Sequence, residues 1–177
     1  PISAIFHLAA ISDTTSKNEN VVLDINFNTF QQIIELSDFF YAPLVYASSG
    51  SVYGSKISHA NKLGTEKPNN IYGYSKLSMD NLNLSMGSRT NKGLPITGIR
   101  FFNVYGPRES CKKKSSSMIL QIYNQLKDSK KCKLFYKSEE IFRDFVYITD
   151  VCDGMINALS MEPGIYNLGT GKCRNFK

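Results

Sequence analysis

An α/β fold built on a doubly wound parallel sheet is predicted for this chain by three observations. Short, near-continuous apolar runs alternate with longer segments of helical period; Gly, Pro and Asn punctuate the boundaries; and several runs end in small or polar residues. Apolar strands of this kind belong to parallel sheets covered by helices on both faces, and ligands bind beyond the carboxyl ends of such strands. The size suits one ordinary domain, at 177 residues with 42% hydrophobic and 12% aromatic.

The elements follow in order. Ala4 to Leu8 reads as a buried strand running into the small turn Ala9-Ala10. Val21 to Phe40 carries apolar residues at Val22, Ile25, Phe30, Ile33, Ile34 and Leu36, the spacing of a helix that Pro43 ends. Leu44 to Ser49 is a second strand, and Gly50 to Pro68 a polar, glycine-bearing loop. A helix over Ile71 to about Met86 and a strand over Ile96 to Phe101 continue the alternation. Beyond the Gly106-Pro107-Arg108 turn, Ser115 or Ser116 is expected to cap a helix to about Lys127. Lys133-Leu134-Phe135 is a candidate strand, Phe145-Val146-Tyr147 another, Thr149 or Asp150 a cap for a helix to about Ser160, and Ile165 to Leu168 the last strand. The expected division places a dinucleotide-type domain at 1–107 and part of a smaller substrate-binding region at 108–177, one segment of which returns to the first.

Composition excludes several classes. No run of eighteen apolar residues exists and the first residues lack a signal pattern, so a cytoplasmic protein without a membrane partner is expected. Cys111, Cys132, Cys152 and Cys173 form no metal-binding spacing and read as buried or incidental thiols. The net charge of +6 and the lysines at 112–114, 130, 131 and 133 read as solvated faces rather than a nucleic-acid surface. His7, inside an apolar strand, reads as a satisfied core histidine, and His59 receives no role.

The chemistry concentrates in Tyr72-Gly73-Tyr74-Ser75-Lys76, at a helix start. Residues four apart share a helix face, so Tyr72 and Lys76 are neighbours. A free tyrosine titrates near 10, but an adjacent ammonium favours the phenolate and makes Tyr72 a candidate proton shuttle. Ser49, ending the preceding strand, is placed to hydrogen-bond the same substrate oxygen.

Three ordered motifs carry a family resemblance: Ala47-Ser48-Ser49-Gly50-Ser51-Val52-Tyr53-Gly54, then Tyr72 to Lys76, then Arg100-Phe101-Phe102-Asn103-Val104-Tyr105-Gly106-Pro107-Arg108. Together they resemble the extended short-chain dehydrogenase/reductase family. Phe6 to Ala10, Arg143 to Tyr147 with Asp150-Val151, and Tyr166 to Gly171 extend the resemblance over nearly the whole chain. It implies a Rossmann-like fold, a nicotinamide cofactor (NADP, with NAD as the alternative) and a nucleotide-sugar substrate. It also implies a homo-oligomer for the full-length protein. Ser12-Asp13-Thr14-Thr15, and Arg108-Glu109 followed by Lys112 and Ser117-Met118, most resemble the branch that epimerises an ADP-linked heptose. A 4-epimerase, a dehydratase and a non-catalytic dinucleotide- or RNA-binding relative are the alternatives.

The resemblance implies roles residue by residue. Tyr72 is one acid/base, Lys76 sits on the nicotinamide ribose, Ser49 assists, and Lys112 is a second acid/base, with Lys113 and Lys114 beside it in the register. A second group fits the chemistry, because a ketone turned over in its pocket needs a proton donor from another direction. Leu8, Ala9, Ala10, Asn26 and Val104, with Tyr72 and Lys76, match cofactor-lining positions. Asn103, Gln121, Phe135, Ser138 and Arg143, with Ser49 and Lys112, match sugar-nucleotide positions. The sequence contains no GxGxxG or GxxGxxG turn and does not open on methionine. The expectation is a piece of a longer enzyme that holds cofactor poorly by itself.

Overall fold

The structure is a computed structural model that describes residues 1–16, 18–55 and 64–176, with the side chains of Lys113 and Lys114 excepted. His59, and much of the loop expected over 50–68, lie outside the described residues.

The first strand, β1 (Ile5–His7), leads to a helical stretch in three parts: α1 (Glu19–Leu23), a π-helical turn over Asp24–Asn28, and α2 (Thr29–Phe40). The sequence predicts one unbroken helix here. The observed register change falls around Asn26, whose amide bonds Ile11 and Ser75 in other segments, which gives the inserted turn a local cause. Asn18 caps the start, and Tyr41 in the left-handed conformation ends the run ahead of Pro43.

β2 (Leu44–Ser49) follows with every residue buried, then a 3-10 turn over Gly50–Tyr53 and α3 (Ile71–Ser85), capped by Asn70. Next come β3 (Ile96–Phe101), β4 (Asn103–Tyr105), a 3-10 segment over Glu109–Ser115, α4 (Met118–Ser129), β5 (Arg143–Tyr147), α5 (Ile148–Asn157), β6 (Gly164–Leu168) and β7 (Cys173–Arg174). The main sheet has the order β1-β2-β3-β6, all parallel, and a smaller sheet has the order β4-β5-β7.

The doubly wound arrangement is visible in how alternate residues of the strands sort. Leu44, Tyr46 and Ile96 pack with Phe30 and Ile34 of α2 and Met79 of α3 on one face. Val45 and Ile99 pack with Val151 and Met155 of α5 and with Val146 on the other. Period-two alternation therefore serves two cores.

Three local expectations change. Lys133 to Phe135 form no strand: the Lys133 N–H is taken by the Gln125 side chain, and a turn closes from the Ser138 N–H onto the Phe135 carbonyl. α4 is capped by Ser117 rather than Ser115 or Ser116, because Glu109 holds Ser117 through both its N–H and its hydroxyl. α5 opens after Tyr147 without a side-chain cap, with Asp150 in its first turn. Of the two readings of the cysteines, buried or incidental, the structure favours the second, since none of the four is buried and all are free.

Candidate functional site

The carboxyl end of β2 meets the amino end of α3. Gly73 lets the first turn of α3 seat against the 50–53 turn, since a Cβ there would lie 2.8 Å from the Ser51 carbonyl oxygen. That approach brings Tyr72 to Ser49, and the phenol shares a hydrogen bond with the Ser49 side chain. Ser49 is 8% exposed, and its hydroxyl also accepts the Ser51 N–H at 3.1 Å.

One turn further on, Lys76 is 2% exposed, and its ammonium donates to the Ala47 carbonyl at 2.7 Å. Burial lowers its pKa to about 8, against the attraction of Asp80. Burial raises the Tyr72 phenol, and the Ser49 bond only partly offsets this. The Lys76 ammonium, expected to favour the phenolate, is turned instead to the Ala47 carbonyl. The phenol is therefore protonated in this arrangement.

A cavity of about 450 Å³ opens beside this group. Ser49, Asn103 and Arg143 of the expected residues line it. Thr14, Tyr53, Asn69, Phe102, Asp144 and Cys173 join them, none of which had been given a role. Asp144 organises one wall: its carboxylate accepts the N–H groups of Thr170 and Gly171 and the Thr170 hydroxyl, and its carbonyl accepts the Asn103 amide at 3.0 Å. The pattern Asn69-Asn70 ahead of the α3 start was the available signal, since Asn favours a helix cap. Cys173 gave no signal, because β7 forms only by pairing with β5.

Lys112, Gln121, Phe135 and Ser138 are not among the cavity's lining residues. Lys112 is exposed on the 3-10 segment, whose first residue, Glu109, accepts the Gly106 and Ser117 N–H groups. Burial of the Glu109 carboxyl is outweighed by these bonds and by Lys112, and its pKa is lowered. Gln121 donates to the Ser116 carbonyl, Phe135 is 57% exposed, and Ser138 is buried in a turn. Those four positions stand outside the lining, which comes from the ends of β2 and β3, from β4, β5 and β7, from the turn at 50–54 and from the residues ahead of α3.

At the end of β1, Leu8 and Ala9 are exposed and Ala10 half-buried. Asn26 was expected to line a cofactor; it is fully buried and instead ties the Ile11 backbone to Ser75 of α3. Val104 is half-buried against the α5 face of the core. His7 is buried as expected but not satisfied, because its Nε2 has no partner while Phe30 stacks on the ring. Burial and the nearby Lys76 lower its pKa, so the imidazole is neutral. An unpartnered imidazole nitrogen beside a buried ammonium, under an exposed strand end, fits the ribose half of a dinucleotide. A glycine-rich pyrophosphate turn is not found in this sequence. Among the described residues, no group of three or more His, Cys, Asp or Glu gathers to hold a metal, and no helix is long and apolar enough to cross a membrane.

A parallel sheet wound on both faces, with Ser49, Tyr72 and Lys76 gathered beyond a strand end, defines a fold of the Rossmann-like class. The model of the NAD dependent epimerase/dehydratase family matches residues 1–169, and the chain belongs to that family. Among solved structures, an ADP-L-glycero-D-manno-heptose-6-epimerase of Helicobacter pylori is 40% identical with a TM-score of 0.89, over 98% of this chain and 55% of that one. A UDP-glucuronic acid 4-epimerase of Bacillus cereus, solved with a UDP-sugar and NAD, is 26% identical with a TM-score of 0.83, over 98% of this chain and 56% of that one. A UDP-N-acetylglucosamine 4-epimerase of Bacillus cereus is 27% identical with a TM-score of 0.81, over 99% and 60%. The chain thus spans little more than half the length of these relatives.

Proposed function

We propose that the intact protein is a nucleotide-sugar epimerase acting on ADP-glyceromanno-heptose at carbon 6, with a bound nicotinamide dinucleotide. The observation that carries the enzymatic reading is the Ser49–Tyr72 hydrogen bond, with Ser49 lining the cavity and Lys76 one turn below. The heptose substrate is supported by the Helicobacter pylori similarity at 40% identity.

A nicotinamide dinucleotide, when bound, would supply the acceptor for the sugar carbon's hydride and, once reduced, the donor that restores it. Ser49 would hold the reacting hydroxyl of the sugar, and Tyr72, drawn to its phenolate form by the positive charge of a bound nicotinamide, would take its proton as the carbon becomes a ketone. Inversion would require reduction on the opposite face of the ketone, for which Lys112 would supply the proton from the other side. Arg143, beside Asp144 on the cavity wall, is suited to the diphosphate through its planar guanidinium. NADP is the proposed dinucleotide, with NAD the alternative, and the working form is a homo-oligomer.

The test offers the intact protein ADP-heptose and a UDP-hexose separately, with no cofactor added. Turnover of ADP-heptose alone supports this reading. Turnover of the UDP-sugar replaces the substrate while keeping the Tyr72 chemistry, and turnover of neither overturns the epimerase.

A further inference from the structure

Behind the Ser49–Tyr72–Lys76 group lies a buried cluster that this chemistry does not use. Tyr72, Lys76 and Asp80 follow one another at intervals of four along α3 and so share a face. Asp80 is fully buried; one carboxylate oxygen accepts the Tyr46 hydroxyl at 2.8 Å, and the other accepts the Ser48 hydroxyl at 2.9 Å and Arg100 Nε at 2.8 Å. Arg100, 2% exposed, donates from Nη1 to the Tyr53 hydroxyl at 2.7 Å and pairs through Nη2 with Glu66 at 2.8 Å. The Tyr53 hydroxyl in turn donates to Asn167 on β6.

Buried ion pairs contribute little net stability, because desolvation offsets their attraction, so what this cluster supplies is geometry. Ser48, held by Asp80, immediately precedes Ser49. Glu66 stands on the strap at residues 64–70, which brings Asn69 and Asn70 to the cavity and caps the turn that carries Tyr72. One guanidinium therefore links both sides of the site.

We propose that Asp80, Arg100 and Glu66 are positioning residues for Ser49, Tyr72 and Lys76, with Asp80 the counter-charge of Lys76 and anchor of Ser48, and Glu66 the anchor of the strap leading to Tyr72. The proposal rests on the reading that those three residues act on a nucleotide sugar. The titratable groups that act on Lys76 are His7 from β1 and Asp80 from its own helix, and Tyr46 and Arg100 bond Asp80 from β2 and β3. His7 is neutral and burial holds Tyr46 protonated, which leaves Asp80 as the anion that faces Lys76. Glu66 faces Arg100 on the far side.

The experiment compares Asp80→Asn and Glu66→Gln with the parent in the intact protein. Lys76 is titrated by NMR on protein labelled with carbon-13 lysine, its signal assigned by its loss in Lys76→Met, and kcat and KM are measured with the nucleotide sugar that the parent turns over. In Asp80→Asn the Lys76 signal is expected to titrate about one pH unit lower, and in Glu66→Gln to stay in place. Both variants are expected to lose about tenfold or more in kcat with KM little changed. An unmoved Lys76 titration in folded Asp80→Asn, or parental kcat in Glu66→Gln, overturns the relay. If Asp80→Asn does not fold, the kcat of Glu66→Gln decides. If the parent turns over no nucleotide sugar, the epimerase reading fails and the Lys76 titration alone decides the relay.

Discussion

At the residue scale, the proposed chemistry asks two side chains in different settings to move protons. Tyr72 is largely buried and bonded to Ser49, whereas Lys112 is exposed on a 3-10 segment. Tyr72→Phe removes one hydroxyl and keeps the ring, so the packing survives while the proton acceptor is lost. The expected result is a fall in epimerisation of about a hundredfold or more, with nicotinamide still bound. Lys112→Met removes a charge from a solvated position, with little effect on folding expected, and is also expected to abolish epimerisation while retaining nicotinamide. Steady-state turnover together with the absorbance of bound dinucleotide checks both. Full activity in both variants would sink the two-group assignment. The Ser49–Tyr72–Lys76 group was legible because motif order and helical spacing are properties of the chain itself. Thr14, Asp144 and Cys173 were not, because they reach the cavity only through pairings between distant segments, such as Asp144 with the Thr170 turn.

At the element scale, the alternation of strands and helices was readable because the strands of the main sheet are mostly apolar and α2 and α3 are followed by Pro43 and Gly87. The π-helical turn over Asp24–Asn28 was not, since its cause is a tertiary bond. Asn26 accepts the Ile11 N–H at 2.8 Å and donates to the Ile11 carbonyl at 3.1 Å and to Ser75 Oγ at 3.0 Å. It thereby holds the segment beyond β1 against the helix that carries Tyr72 and Lys76. Asn26→Ala leaves those groups without partners in a buried site, which costs about 1–3 kcal/mol per unsatisfied group. The expected outcome is a lower urea midpoint and faster amide exchange at Ile11 than in the parent. Unchanged exchange at Ile11 would show that the loop is held by other contacts. The Lys133–Phe135 strand failed for the converse reason: three residues of suitable propensity found no strand to pair with, because Gln125 had already taken the Lys133 N–H.

At the scale of the whole molecule, the buried titratable groups give the stability a definite pH dependence. His7 and Lys76 have lowered pKa values in the folded state, so between the folded and unfolded values the unfolded chain holds more protons and stability rises with pH. For His7 that rise is complete by about 6.5, the ordinary histidine value. For Lys76 it starts near 8 and continues to the ordinary lysine value of 10.5. A shift of this size corresponds to a penalty on the order of 3 kcal/mol, present in full at neutral pH because both states are then protonated. Tyr46 and Tyr72 act in the opposite sense, since their raised values make the folded state the better proton holder above about 10. The urea midpoint is therefore expected to climb from pH 7.5 to about 9.5 and to fall at higher pH. Lys76→Met removes the lysine penalty, so it should be more stable than the parent at pH 7 and should lack the climb above pH 8, while losing activity. Such a result would mark Lys76 as a group kept at a cost in stability for its place in the site. A parent midpoint that is flat over this range, or that runs parallel to the variant's, would show that burial does not depress the Lys76 amine.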